Sequence, residues 1–149
     1  MTSNIFEKAN QFIRTCDSAQ LGVIDEDGYP SVSSVSTIKT ENIFEIYSST
    51  NIGSNKEKRI SKNDKASMCF CANGNNVTLV GRAEIVKDQE VKSKYWLDWF
   101  KDHYQGGETD PDYVIIKFTT ERVSLWIDQE SAEFTIDALL TVLSPEDKS

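Results

Sequence analysis

The residues with the clearest chemical potential lie between positions 50 and 70, in the stretch TNIGSNKEKRISKNDKASMCF. Within it, Ser54 and Glu57 form the pattern of a capping box, whose two side chains satisfy backbone donors of a helix's first turn. Lys56 then falls at the second helical position, where a cation costs about 0.3–1 kcal/mol against the helix dipole. An anion held by the free N–H groups and the Lys56 ammonium would reverse that cost, and phosphate is the obvious candidate. The alternative is a solvated basic helix face that also includes Lys58, Arg59 and Lys62.

The other chemistry-bearing residues do not form a catalytic set. The single histidine, His103, is expected at the surface, which disfavours a Ser-His-Asp or Cys-His arrangement because both need a base beside the nucleophile. Cys69 and Cys71 are expected as packed thiols on one side of a strand, without the further ligands that a closed zinc site requires. We therefore expect no metal site and no catalytic residue, and any chemistry to come from a bound cofactor.

Composition limits the classes of function. The chain has 149 residues, with 24 acidic and 16 basic side chains, and its net charge is −8. This length fits a single domain, and the acidic balance disfavours a nucleic-acid surface, which needs a basic face. The sequence shows no long apolar run and no signal-peptide pattern, and its three cysteines suit free thiols in a reducing compartment. We expect a cytoplasmic protein that does not bind membranes.

The elements that must position the capped helix are mostly strands. An amphipathic helix is expected first, because apolar residues from Ile5 to Cys16 recur at helical spacing. Alternating apolar and polar residues, with turn signals such as Asn73-Gly74, predict strands in hairpin order. The seven predicted strands are 19–24, 30–38, 43–48, 66–71, 77–86, 113–119 and 122–128, the last two joined by a short turn. A further helix is predicted from a cap at Asp88 to about His103.

The strand predicted at 30–38 is unusually polar. It carries Pro30 near its start and four serines among its valines. Such small side chains indicate either that something lies close against the strand or that it is a half-exposed edge strand. After residue 127 the pattern weakens, and a polar tail is predicted from about residue 144. Many short strands in hairpin order, with few helices, favour an antiparallel barrel or sandwich.

The order and spacing of these motifs resemble the FMN-binding split-barrel proteins related to pyridoxamine 5′-phosphate oxidase, in particular their general-stress-protein branch. The segments that carry the resemblance are GYPSVSSVS, IYSSTNIGSNKEKRISKNDKASMCF, NNVTLVGRAEIVKD and RVSLWID. The resemblance extends over about residues 6–128. It implies a mainly β fold, an antiparallel split β-barrel of about six to seven strands with two to four peripheral helices, forming one domain over residues 1–149.

The resemblance also implies an FMN site. It places the FMN phosphate at Thr50, Asn55 and Lys56, with Ser49 beside it, which coincides with the anion site argued from the helix cap. It places the isoalloxazine ring along the serine-rich strand, with an amide and an aromatic side chain reaching or covering the ring. The implied cofactor-binding residues are Ser33, Ser34, Val35, Ser36, Ser49, Thr50, Asn55, Lys56, Asn76 and Trp126. Asn76 could instead only close a hairpin, and Trp126 could only fill core.

The chain also departs from the oxidases. They carry arginines at the positions of Ser33 and Asn55, a substrate-binding lysine at the position of Ile38, and an Arg-x-His element near the C-terminus. Without these groups, pyridoxamine 5′-phosphate oxidase activity is not expected. The resemblance implies a homodimer with flavin at the subunit interface, transferring two electrons between NAD(P)H and an unidentified small acceptor. The alternatives are a non-catalytic flavin-binding or sensing protein, and a site that holds haem, a deazaflavin or nothing.

Overall fold

A computed structural model describes residues 3–38 and 40–143. Its helices are α1 (Ser3–Arg14), α2 (Asn55–Lys62), α3 (Gln89–Lys94) and α4 (Ile136–Leu140), with 3₁₀ segments at Asp98–Asp102 and Gly107–Thr109. Its strands are β1 (Ser18–Ile24), β2 (Pro30–Ile38), β3 (Glu45–Asn51), β4 (Lys65–Ala72), β5 (Asn75–Val86), β6 (Tyr113–Ile127) and β7 (Glu130–Thr135). The polar tail predicted from about residue 144 lies outside the described residues. No described helix is long and apolar enough to cross a bilayer.

The strands form an antiparallel barrel, which confirms the predicted fold class. Their order is β3-β2-β1-β4-β5-β6-β7, and an additional pairing of β3 with β6 closes six strands into a barrel. The last strand, β7, is added outside that closed circuit. Strand β6 is 15 residues long and makes this possible: its first half pairs with β3 and its second half with β7, while β5 lies along both halves.

The prediction was wrong about the last two strands. The strands predicted at 113–119 and 122–128 are one continuous strand, β6, and the turn expected between them is a local irregularity in its pairing with β5, opposite Val80 and Gly81. The seventh strand is instead β7, which the sequence pattern did not reveal. The backbone can pass through such a bulge without leaving the sheet, because only one extra residue is accommodated.

The helix predicted from Asp88 to about His103 is interrupted. Asp88 caps α3 as predicted, with its carboxylate accepting from the N–H groups of Glu90 and Val91 at 2.9 and 3.3 Å. The helix ends at Lys94, and the chain resumes as the 3₁₀ segment Asp98–Asp102. Aromatic packing explains the break. Tyr95 stacks on Tyr47 of β3 with ring centroids 4.0 Å apart, and this contact holds the chain against the barrel where a continued helix would turn away from it.

Two apolar clusters hold the molecule together. The larger one joins α1, α4 and the barrel strands, and includes the fully buried Phe70, Leu79 and Phe118. The smaller one lies between the barrel and the segment after α3, and its buried members are Ile38, Phe100, Tyr104, Tyr113 and Ile115. This second cluster fixes residues 99–104 against the barrel beside the start of α2.

Candidate functional site

Helix α2 begins where the sequence predicts, although only half of the capping box forms. The Ser54 hydroxyl accepts a hydrogen bond from the Glu57 N–H at 3.1 Å, as expected of an N-cap. The Ser54 N–H donates to the Asn51 carbonyl at 3.1 Å, so it does not need the Glu57 carboxylate. The Thr50 hydroxyl lies 2.9 Å from the Ser54 hydroxyl, which ties the end of β3 to the start of the helix.

Ser54→Ala should lower the free energy of unfolding by about 1 kcal/mol, because the Glu57 N–H loses its partner. Chemical denaturation followed by circular dichroism measures the change. Ser61→Ala on the same helix is the matched control: its hydroxyl donates back to the Glu57 carbonyl in an exposed position, and its loss should be neutral or slightly stabilising. Equal stabilities of the two variants would contradict the assigned cap.

Lys56 is set apart from the other basic residues of α2. Its half-buried ammonium lies 3.4 Å from the Ser33 hydroxyl, and within the described residues no carboxylate lies within 4.0 Å of it. Arg59, in contrast, is held by Glu26 at 3.2 Å and by the Ser31 hydroxyl at 3.1 Å, while Lys58 and Lys62 are exposed. The four cations therefore do not form one solvated face, and the charge of Lys56 is available to a ligand.

Lys56 lines a groove of about 420 Å³, and many of the other predicted cofactor-binding residues line it too. Ser34, Val35, Ser36, Ser49, Thr50 and Lys56 are the predicted cofactor-binding residues that line it, together with Asn51 and Ser54. Ser33 borders it through its contact with the Lys56 ammonium. Hydroxyl groups and one cation on a concave surface match the donor set that binds phosphate.

One wall of the groove is an open strand edge. Strand β2 pairs with β1 from Pro30 to Ser36, but with β3 only at Thr37 and Ile38. From Ser36 back to Ser33, the edge that faces away from β1 has no strand partner among the described residues. Backbone N–H and C=O groups on such an edge require other hydrogen-bond partners, which a ligand with donors and acceptors along its rim can supply.

The opposite wall is aromatic and was not predicted. Trp99, Phe100, His103 and Tyr104 line the groove from the 3₁₀ segment and its end. Trp99 is 48% exposed and packs edge-on against Phe100, with ring centroids 4.7 Å apart. His103 is exposed, as predicted, and makes an edge contact with Trp99. The signal that could have located this wall is the aromatic density between Tyr95 and Phe100, which exceeds what a solvated helix carries.

Tyr104 connects the aromatic wall to the hydroxyl wall. Its side chain is 4% exposed, and this burial raises the pKa of the phenol, while a hydrogen bond with Ser49 partly opposes the rise. The phenol therefore stays neutral and can donate or accept a hydrogen bond. Tyr104 and Ser49 both line the groove, where the sequence predicted a phosphate contact.

The remaining predicted residues lie elsewhere. Asn55 is exposed and does not line the groove. Asn76 and Trp126 face each other as register partners on β5 and β6, and Trp126, 43% exposed, lines a separate hollow at the Asn73-Gly74 turn. One chain therefore does not bring Asn76 and Trp126 to Lys56. Ile38 is 1% exposed within the smaller apolar cluster, so it offers nothing to a ligand.

Side chains that could ligate a metal are not grouped in the described part of the chain. No group of three or more His, Cys, Asp or Glu side chains there could hold a metal ion. Cys69 is half-buried and accepts a hydrogen bond from the Thr78 hydroxyl at 3.5 Å, whereas Cys71 is exposed rather than packed as expected. Cys71 lies on the outside of the sheet because residues of a strand alternate between its two faces.

Fold and site together define a split β-barrel protein with a cation-bearing groove at an open strand edge. The family model described as pyridoxamine 5′-phosphate oxidase matches residues 5–127, and the chain belongs to this family. Comparison with curated proteins finds no match.

Solved structures of similar fold include general stress proteins. One is a Clostridium acetobutylicum protein related to general stress protein 26 of Bacillus subtilis, of the pyridoxinephosphate oxidase family, with 26% identity, a TM-score of 0.83 and coverage of 93% of this chain and 99% of that one. General stress protein 26 from Bacillus anthracis has 22% identity and a TM-score of 0.74, covering 88% and 99%. A NimC/NimA family protein from Clostridium acetobutylicum has 18% identity and a TM-score of 0.69, covering 87% and 92%.

Proposed function

We propose that this protein binds FMN in the groove beside Lys56. The observation that carries the proposal is the half-buried Lys56 ammonium, which has no carboxylate partner among the described residues of a chain with net charge −8. A phosphate there would contact the ammonium and accept hydrogen bonds from the hydroxyls of Ser49 and Thr50. Membership of the family supports the choice of a flavin over other phosphate-bearing ligands.

The rest of the groove suits the remainder of the cofactor. The open edge of β2 presents backbone donors and acceptors between Ser33 and Ser36, and the small serine side chains leave room for a flat ring. On the other side, Trp99 offers an exposed aromatic surface. These residues bind and orient the cofactor, and the ring edge would satisfy backbone groups that the barrel leaves unpaired.

We further propose a flavin-dependent oxidoreductase. The chemistry that bound FMN supplies is two-electron transfer between NAD(P)H and a small acceptor. The chain's own part is to hold the phosphate, orient the ring and shield it from water. Pyridoxamine 5′-phosphate oxidase activity is not part of the proposal, because the buried Ile38 replaces a substrate-binding cation, and a charge-assisted hydrogen bond contributes roughly 1.5–3 kcal/mol.

Asn76 and Trp126 enter the proposal through a second subunit. Trp126 lines a hollow separate from the Lys56 groove, and Asn76, its register partner, does not line that groove either, so in this proposal both reach a flavin from the partner chain of a homodimer. The exposed indole of Trp126 would then be buried by dimer formation and ligand binding. The three free cysteines agree with a reducing compartment, and we propose a cytoplasmic location.

A second candidate is a non-catalytic flavin-binding or sensing protein. It is favoured by the described residues lining the groove, whose titratable side chains are Lys56, assigned here to the phosphate, the buried Tyr104 and the exposed His103, with no carboxylate or thiol. In that case FMN would only stabilise the fold, by a free energy that grows with the logarithm of its concentration relative to its Kd.

The absorbance spectrum of freshly purified protein, before and after reconstitution with FMN, tests the proposal. We expect a flavin spectrum that bleaches with NADH or NADPH under anaerobic conditions and returns with oxygen over repeated cycles. Flavin that stays oxidised with both donors would support the binding protein instead. A haem spectrum, or failure to retain added FMN, would overturn both.

A further inference from the structure

A second hollow adjoins the proposed FMN groove. It has a volume of about 460 Å³ and shares two residues with the groove, Ser36 and Trp99, which stand between the two spaces. Its other lining residues are Arg14, Cys16, Asp17, Thr37, Thr40 and Leu97. The hollow is formed where the end of α1, the end of β2 and the 3₁₀ segment meet, so three separate elements contribute to it.

The direction of β2 connects the two spaces. Ser33 lies at the Lys56 ammonium, and Ser36 lies at the boundary with the second hollow. Three strand steps separate these residues, a distance of about 10 Å. A ligand anchored by its phosphate at Lys56 and extended along the open edge of β2 therefore points its far end toward the second hollow.

The second hollow contains its own cation, Arg14, which forms no ion pair with the other described residues. The Arg14 Nε donates to the Glu41 carbonyl at 2.6 Å, which holds the side chain in place. Neither of its terminal amino groups has a hydrogen-bond partner or a carboxylate within 4.0 Å in the described part of the chain. A guanidinium presented in this way can bind a carboxylate through two parallel hydrogen bonds.

The hollow also contains an unsatisfied buried hydroxyl. The Thr40 Oγ1 is fully buried and has no hydrogen-bond partner within the described residues. Buried polar atoms are nearly always hydrogen-bonded, so an unsatisfied hydroxyl on a residue that lines the hollow indicates a missing ligand or water. The side chains of Leu97 and Trp99 supply an apolar surface beside it, while Asp17 adds an acceptor for a ligand N–H or O–H.

We propose that this hollow binds the second small molecule of the reaction, and that this molecule is a small planar carboxylate. The inference rests on the proposed function for its role, although not for its existence as a site. Arg14 pairs with the carboxylate, the Thr40 hydroxyl donates to it, and the planar part of the molecule packs against Leu97 and Trp99. Arg14 thus determines specificity for an anionic substrate beside the far end of the flavin.

Calorimetric titration with benzoate as the probe tests this inference, on both FMN-loaded and FMN-free protein. We expect benzoate to bind and to quench tryptophan fluorescence, and Arg14→Gln to weaken binding roughly tenfold or more. Arg122→Gln is the matched control, since Arg122 is an exposed cation that lines a different groove. Benzyl alcohol, which lacks the charge, should bind the wild type more weakly than benzoate does. Its affinity for Arg14→Gln should equal its affinity for the wild type, because it does not use the guanidinium.

Two outcomes overturn the inference: benzoate does not bind, or it binds Arg14→Gln as well as the wild type. If Arg14→Gln does not fold, Thr40→Val decides instead, since it removes only the unpaired hydroxyl and should also weaken benzoate binding. The proposed function is judged separately by FMN retention. Arg14-dependent benzoate binding without FMN binding would preserve this site and reject the flavin assignment. FMN binding without Arg14-dependent benzoate binding would preserve the flavin assignment and reject this site.

Discussion

Lys56→Ala is expected to weaken FMN binding roughly tenfold to a hundredfold while leaving the apo fold intact. The proposed contact is a charge-assisted hydrogen bond to phosphate, which contributes roughly 1.5–3 kcal/mol. Lys56 forms no ion pair with the other described residues, and its only polar contact there is the long one to Ser33. Removing it therefore costs the folded protein little. Quenching of flavin fluorescence during titration into apoprotein measures the affinity.

The helix that carries Lys56 also supplies the control for this prediction. Lys58→Ala removes the same charge from an exposed position on α2, so it changes the net charge by the same amount. Its effect on FMN affinity should be less than twofold. Equal affinities of the two variants for FMN would show that Lys56 does not contact the phosphate. Melting temperatures of both apoproteins should stay near that of the wild type.

Gly81→Ala is expected to lower the free energy of unfolding by roughly 3 kcal/mol or more. A Cβ on Gly81 would overlap the backbone carbonyl of Thr119 and would lie 3.1 Å from the Glu121 nitrogen. These atoms belong to β6, which cannot move away without breaking its pairing with β3 or β7. Overpacking against fixed backbone is more costly than contact with a mobile side chain.

Gly22→Ala provides the comparison for Gly81→Ala. A Cβ on Gly22 would meet only Val32 at 3.7 Å and the Ser67 carbonyl at 3.8 Å, which are ordinary contacts. We expect this variant to lose no more than about 1 kcal/mol, measured by urea denaturation with the same probe. Equal stabilities of the two glycine variants would contradict the close contact between Gly81 of β5 and the irregular part of β6.

The elements that could be predicted from the sequence are those specified by local patterns. Alternation located β1 to β5, and the capping serine located α2 with Lys56 at its start. Strand β7 was missed because its turn gives no local signal. Asp128 and Gln129 adopt positive φ angles of 53° and 68° in this turn. Short hairpin turns with such angles usually contain glycine after asparagine or aspartate, and glutamine is not a typical residue there.

The candidate site also contains residues that local sequence patterns predict and residues that only tertiary packing brings together. The hydroxyls and the lysine follow from the helix cap and the neighbouring strand end, which lie within a few residues of one another. The aromatic wall could not be predicted, because the position of Trp99 depends on the packing of Phe100 and Tyr104 in a cluster built from distant parts of the chain. The Arg14 hollow likewise exists only through tertiary structure, since α1, β2 and the 3₁₀ segment are far apart in sequence.

The open edge of β2 has a consequence for the protein when no ligand is present. Unpaired strand edges attract strands from other molecules, and this leads to intermolecular sheets and aggregation. A cofactor lying along residues 33–36 would cap those backbone groups and remove the template. Cofactor supply would then govern the solubility of the protein as well as its chemistry, and cells short of flavin would accumulate a form prone to self-association.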